Sequence, residues 1–169
     1  MKKYIIMILI CFTAIFISGC YASGIDNSYF RVHIRANSNS EIDQNIKYLI
    51  KDIVVEYLSP KLIDCKSKND AICVINENLH STKSLVDSAL ESNGFDYDCE
   101  IEINNEFFPT RTYDDITLEA GYYDALIIRL GTGEGDNWWC IMYPNLCFNE
   151  IENVVYKSKI VEIIKKIKG

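Results

Sequence analysis

The chain is short of the residues that several large classes of protein require. Of its 169 residues only three are proline and eight glycine. That excludes a collagen-like or Pro/Gly-rich disordered chain. It has two histidines, His33 and His80, and no close pairing of either with cysteine. Structural zinc wants Cys or His pairs such as C-x2-C, so a zinc site is not expected, nor any other metal or cofactor. Positive charge is scarce: 17 Lys and Arg against 24 Asp and Glu leave a formal charge of −7. A nucleic-acid binder needs a basic surface, so no nucleic-acid partner is expected. Ser/Gly-rich linkers and internal repeats are missing, and the length suits one domain.

The N-terminus sets the compartment. Lys2 and Lys3 precede an apolar run from Tyr4 to Ile17, which leads into Ile17-Ser18-Gly19-Cys20 and Tyr21-Ala22. A charged start, a short apolar stretch and small residues behind it form an export signal over residues 1–22. Three outcomes fit: lipidation of Cys20 at a lipobox-like sequence, plain cleavage beside Ala22, or retention as a membrane anchor. The third rests on the uncharged run of 22 residues from Tyr4 to Ile25, near the ~20 a spanning helix needs. All three put the folded part outside the cytoplasm. Loss of residues 1–20 removes two of the seven cysteines. The remaining five are an odd number, so at least one is free or pairs with another molecule.

Apolar periodicity outlines the body. Phe30, Val32 and Ile34 alternate with Arg31, His33 and Arg35, giving a strand with one apolar and one polar face. Ser38 to Glu41 offers a capping box, and a helix follows with Ile46, Ile50, Ile53, Val54 and Leu58 on one stripe, ending at Ser59-Pro60. A second helix carries Ile72, Ile75, Leu79, Val86, Ala89 and Leu90 and stops at Asn93-Gly94. A one-faced strand from Tyr97 to Ile103 precedes a turn at Asn104-Asn105, and Ile116 to Glu119 suits a short strand. Tyr122 to Leu130 reads as a central strand buried on both faces. Gly131 to Gly135 reads as a hairpin loop returning into Trp138 to Tyr143. The expected fold is a two-layer α+β domain over residues 28–149, its mostly antiparallel sheet covered on one face by helices. A lysine-rich amphipathic helix is expected over 150–169.

Each candidate for chemistry has a plain counter-reading. A thiol nucleophile needs a histidine base. His33 could meet Cys140 across the sheet, but no nucleophile signature supports the pair, and His80 reads as solvent-facing. Gly131, Gly133 and Gly135 lack the lysine and helix of a phosphate loop. Asp114 and Asp115 are adjacent in a loop and tend to diverge, which does not suit an acid–base pair. Cys140 and Cys147 flank a turn at Pro144-Asn145, and a disulfide there would stabilise by roughly 2–3 kcal/mol in the loop-entropy treatment. Cys65 could reach Cys73 across the helix connector. The alternative is that all five cysteines of the body are reduced. Trp138 and Trp139 put one indole on each face of their strand, where either could serve a protein or glycan contact.

Two stretches resemble the stage II sporulation protein R family of endospore-forming bacteria. One runs from His33 to Gln44 and on to Lys47 and Asp52. The other comprises Phe108 to Tyr113, Ala120 to Leu126, Gly133 to Cys140 and Pro144 to Phe148, with Asn137-Trp138-Trp139-Cys140 the most specific block. Asn39 stands where the family usually has aspartate, and Tyr143 and Asn145 replace a phenylalanine and a second proline. The resemblance implies an exported forespore signalling protein without enzymatic activity. It would activate a membrane-embedded aspartic protease in the space between forespore and mother cell, and so drive processing of a sigma-factor precursor. Arg31, His33, Asn37 and Ser38, read as a polar strand edge and cap, and Trp138 and Trp139 are then the expected partner-binding residues. An exported cell-wall hydrolase using Cys140 or a carboxylate, or a glycan-binding lipoprotein, is the competing expectation.

Overall fold

Alternating burial organises the molecule around its first strand, β1 (Phe30–Arg35). In the computed structural model, which describes residues 28–113 and 116–144, β1 lies inside a four-stranded sheet. Two helices follow it, α1 (Glu41–Leu62) and α2 (Lys68–Ser92). Then come β2 (Cys99–Phe108), the short β3 (Arg111–Tyr113) and β4 (Ile116–Leu118), β5 (Gly121–Leu130) and β6 (Asn137–Tyr143). The sheet order is β2-β5-β1-β6. β1 is parallel to β5 and antiparallel to β6, and β2 is antiparallel to β5. This is the expected α+β arrangement with a mostly antiparallel sheet.

The even-numbered residues of β1 and β5 face the helices. Val32, Ile34, Leu126, Ile128 and Leu130 meet Ile46, Ile50, Ile53, Val54 and Leu58 of α1 and Ile75, Val86, Ala89 and Leu90 of α2 in one buried core. Each of the Val, Leu and Ile side chains contributes about 1.5–3 kcal/mol by leaving water. A smaller cluster of Phe108, Leu118, Tyr123, Ala125, Ile127 and Ile141 occupies the opposite face. There the β3–β4 hairpin forms its own two-stranded sheet. Burial on both faces explains the continuous apolar run Ala125 to Ile128 in β5.

Several local expectations need correction. Ser40, not Ser38, caps α1, its hydroxyl accepting from the Asp43 amide (3.2 Å). The helix runs through Pro60 to Leu62. Proline costs least near a helix end, where few hydrogen bonds remain to be lost. β2 continues through Asn104 and Asn105, because Asn105 pairs with Asp124 of β5 and donates to its carboxylate (2.9 Å). β5 and β6 are not hairpin neighbours, since β1 is inserted between them. Cys65 and Cys73 are free thiols, so the bridge between them does not form. Among the described residues no helix is long and apolar enough to cross a membrane. The expected export signal with Cys20, Asp114 and Asp115, Cys147 and the expected C-terminal helix lie outside the described residues.

Candidate functional site

The site residues divide between a loop corner and the sheet face away from the helices. The corner follows β1. Asn37 donates to Asp43 Oδ2 (3.1 Å) and accepts from the Thr132 amide (2.9 Å), while the Ser38 hydroxyl donates to the same Asp43 oxygen (2.5 Å). Tyr97 donates its hydroxyl proton to Asp43 Oδ1 (2.6 Å). Burial would push the Asp43 carboxyl up, but these hydrogen bonds, with the cap from Ser40, hold it below the ordinary value. Buried Lys47 donates to Gln44 Oε1 (2.6 Å) and to the Asp136 carbonyl (3.0 Å).

The same corner clasps the glycine loop. The amides of Gly131, Thr132, Gly133, Glu134 and Gly135 donate to Asp98, Asn37, Leu130, Asn37 and Ala36 respectively. With every loop amide from Gly131 to Gly135 bonded inside the chain, no phosphate cradle remains. Asn39 accepts from the Asp136 amide (2.6 Å). An amide oxygen therefore does there what a carboxylate oxygen would do. Asn37 and Ser38 thus work first as internal ties of this corner.

Arg31 and His33 depart furthest from expectation. They do not line a polar strand edge: β1 is an inner strand, and Arg31 is fully buried and His33 only 4% exposed. The β3–β4 hairpin and the aromatic residues of β2 and β5 cover this face. The Arg31 guanidinium lies 4.1 Å from the Phe108 ring centre and 4.9 Å from that of Tyr123, and it donates to the Tyr113 hydroxyl (2.5 Å). These cation–π contacts spread its charge without neutralising it. Burial pushes its pKa down, and nearby Arg111 adds to the effect.

His33 stacks on Trp139 with ring centres 5.3 Å apart, and its Nδ1 lies 2.7 Å from Glu106 Oε2. Glu106 also binds Arg35 through its other oxygen. Burial, opposed by the Asn137 side chain and aided by Arg35, Arg31 and Arg129, lowers the His33 pKa to about 4. The ring is then neutral at pH 7, with Nδ1–H donating to Glu106. Its Nε2 has no partner. In register, His33 faces Trp139, whereas Cys140 faces Val32 on the helix side. The Cys140–His33 pair is therefore absent, and Cys140 is disulfide-bonded, with no free thiol to act as nucleophile. Its expected partner Cys147 lies outside the described residues.

Trp138 and Trp139 do point to opposite faces. Trp138 packs on the helix-side core with the Lys51 ammonium 5.8 Å from its ring centre. Trp139 packs on the smaller cluster with the Arg111 guanidinium 4.2 Å away. His80 is exposed on α2. Buried Asp43 and Lys47 and half-buried Tyr97, together with Glu106, Arg111 and Tyr113, carry no functional signal in the sequence. Asp43 and Lys47 sit inside the amphipathic pattern of α1, where a charge reads as solvated. Among the described residues there is no group of three metal-ligating side chains.

Fold and face together define the class: a two-layer α+β domain with a cationic, aromatic-lined sheet surface beside a tied loop corner. The family model for stage II sporulation protein R matches residues 26–153. The stage II sporulation protein R of Bacillus subtilis strain 168 is 34% identical over 129 residues, which is 76% of this chain and 58% of that relative. The chain belongs to the stage II sporulation protein R family. It spans somewhat over half the length of the curated relative it matches. No solved structure matches it.

Proposed function

We propose that this chain is an exported sporulation signalling protein that activates a membrane-embedded aspartic protease. The consequence is processing of a mother-cell sigma-factor precursor. The observation that carries the reading is family membership across residues 26–153, a span that contains the whole described domain. The expected export signal at residues 1–22 supports delivery from the forespore to the space between the two membranes, whether the N-terminus is then cleaved, lipidated or retained. Activation by a folded ligand requires tighter binding to the active arrangement of the protease than to the inactive one. A domain whose polar groups are tied internally, as at the Asn37–Asp43 corner, meets such a partner with little ordering left to do.

The test is precursor cleavage in a non-sporulating host that carries the protease, with and without this protein exported. Cleavage only in its presence is the expected result. No cleavage, with the protein shown to be folded and exported and the protease shown to respond to another activator, overturns the proposal.

A further inference from the structure

We infer that Arg111, exposed over Trp139 at the margin of the sheet face that encloses Arg31, receives an acidic side chain of the partner protein, its charge adding to that of the enclosed Arg31. The inference rests on the signalling role proposed above and names the chemistry of its contact.

Charge bookkeeping on this face points to a missing anion. Four arginines lie on it or border it: Arg31, Arg35, Arg111 and Arg129. Glu106 pairs with Arg35, and Glu100 and Glu102 pair with Arg129 (3.2 and 2.8 Å). Arg31 and Arg111 remain, and among the described residues neither forms an ion pair. They are close enough for Arg111 to depress the Arg31 pKa. Two like charges are thus held together without a counter-ion in a chain of net charge −7. Removing one partner from a buried ion pair leaves an uncompensated charge and is strongly destabilising, so an enclosed arginine lacking an anion calls for one.

Hydrogen-bonding capacity gives the same result independently. Buried side-chain nitrogens without a partner among the described residues are Arg31 Nε and Nη1, Arg35 Nε and Trp139 Nε1, all N–H donors, and His33 Nε2, which in the neutral ring is an acceptor. All belong to side chains on this one face, and none to the helix-side core. Native proteins leave few such groups unmatched, and a cluster of them needs a cause. The rings link them into one place: Phe108 lies 4.1 Å from the Arg31 guanidinium and 5.7 Å from His33, and Trp139 stacks on His33. Arg31 and Trp139 offer N–H donors only, which selects an acceptor-only group. A carboxylate presents that chemistry and matches the planar guanidinium fork. Arg111, exposed over the half-buried Trp139, marks the side of entry.

Two measurements on the full chain test this. In the first, acetate and inorganic phosphate are titrated separately while the Trp139 indole N–H and the Arg31 Nε–H are followed by NMR. Saturable shifts of both with acetate, and weaker ones with phosphate, are expected. Shifts with phosphate alone, or with neither anion, overturn the inference. No protease is needed, so this arm stands or falls apart from the activator reading.

In the second, binding to the membrane-embedded protease in vesicles is compared for wild type, Arg31→Met, Arg111→Glu, Arg111→Lys and a helix-side control, Lys83→Gln. Arg31→Met is expected to remain folded, because it removes an unpaired buried charge and keeps the bulk. Both Arg31→Met and Arg111→Glu should weaken binding by about tenfold or more, the scale of losing one partner of an interfacial charge pair. Arg111→Lys should largely retain binding, and Lys83→Gln should match wild type. Wild-type binding by folded Arg31→Met and Arg111→Glu overturns the inference.

Discussion

Lowering the pH should loosen this domain through His33 before general acid denaturation begins. The ring is 4% exposed between Phe108 and Trp139, and burial lowers its pKa from 6.5 to about 4. A histidine harder to protonate folded than unfolded makes the unfolded state bind more protons between those two values. Stability is then fully present above the unfolded pKa and is lost as pH falls toward the folded one. The fall from 6.5 to about 4 corresponds, at about 1.36 kcal/mol per pH unit, to an upper value of about 3 kcal/mol. That value already includes the opposing hydrogen bond with the Asn137 side chain, and about 2 kcal/mol or slightly more of the loss is expressed by about pH 4.5. Against a total of about 5–15 kcal/mol for a domain of ordinary stability, that is measurable. Urea unfolding from pH 7 down to about pH 4.5 should show wild type losing about 2 kcal/mol more than His33→Gln. Parallel curves for the two proteins would refute the reasoning.

Asp43→Ala removes the acceptor shared by Asn37, Ser38 and Tyr97, and should destabilise the domain by about 3 kcal/mol or more in the same assay. Gly131→Ala should cost about 1–3 kcal/mol, because φ there is +55° and a Cβ would collide with Asn37. A shift of the urea midpoint by less than a tenth would contradict that claim. Exposed Cys73 should react with a thiol reagent in the native protein. Cys99 should react only on unfolding, since burial and Asp87 push its thiol well above the ordinary pKa.

The sequence made the layers legible because their causes are local. Alternation in β1, the stripes of α1 and α2 and the double-sided burial of β5 all follow from period and composition. Pairing across the sheet was less legible. Insertion of β1 between β5 and β6 depends on contacts about a hundred residues apart, and the Gly131–Gly135 loop reads as a hairpin turn from its composition alone. The site was half legible. The sequence points to His33, Arg31 and Trp139, and they do gather on one face, but alternation alone places the polar half of β1 in water. Its burial depends on the β3–β4 hairpin and on Phe108, Tyr113 and Tyr123, whose contact with β1 has no sequence signature. Asn37 and Ser38 read as surface cap residues in the sequence, whereas both serve Asp43, a carboxylate hidden by its place in an amphipathic helix.

The central claim is that this protein switches on a membrane-embedded protease by binding it. The most direct measurement places the purified protease and its sigma-factor precursor in vesicles and adds this protein on the extracytoplasmic side in increasing amounts. The account predicts cleavage that rises and saturates with added protein and requires the catalytic aspartates of the protease. Cleavage at the same rate without the protein, or none at any dose from a protease shown to be competent, would contradict it.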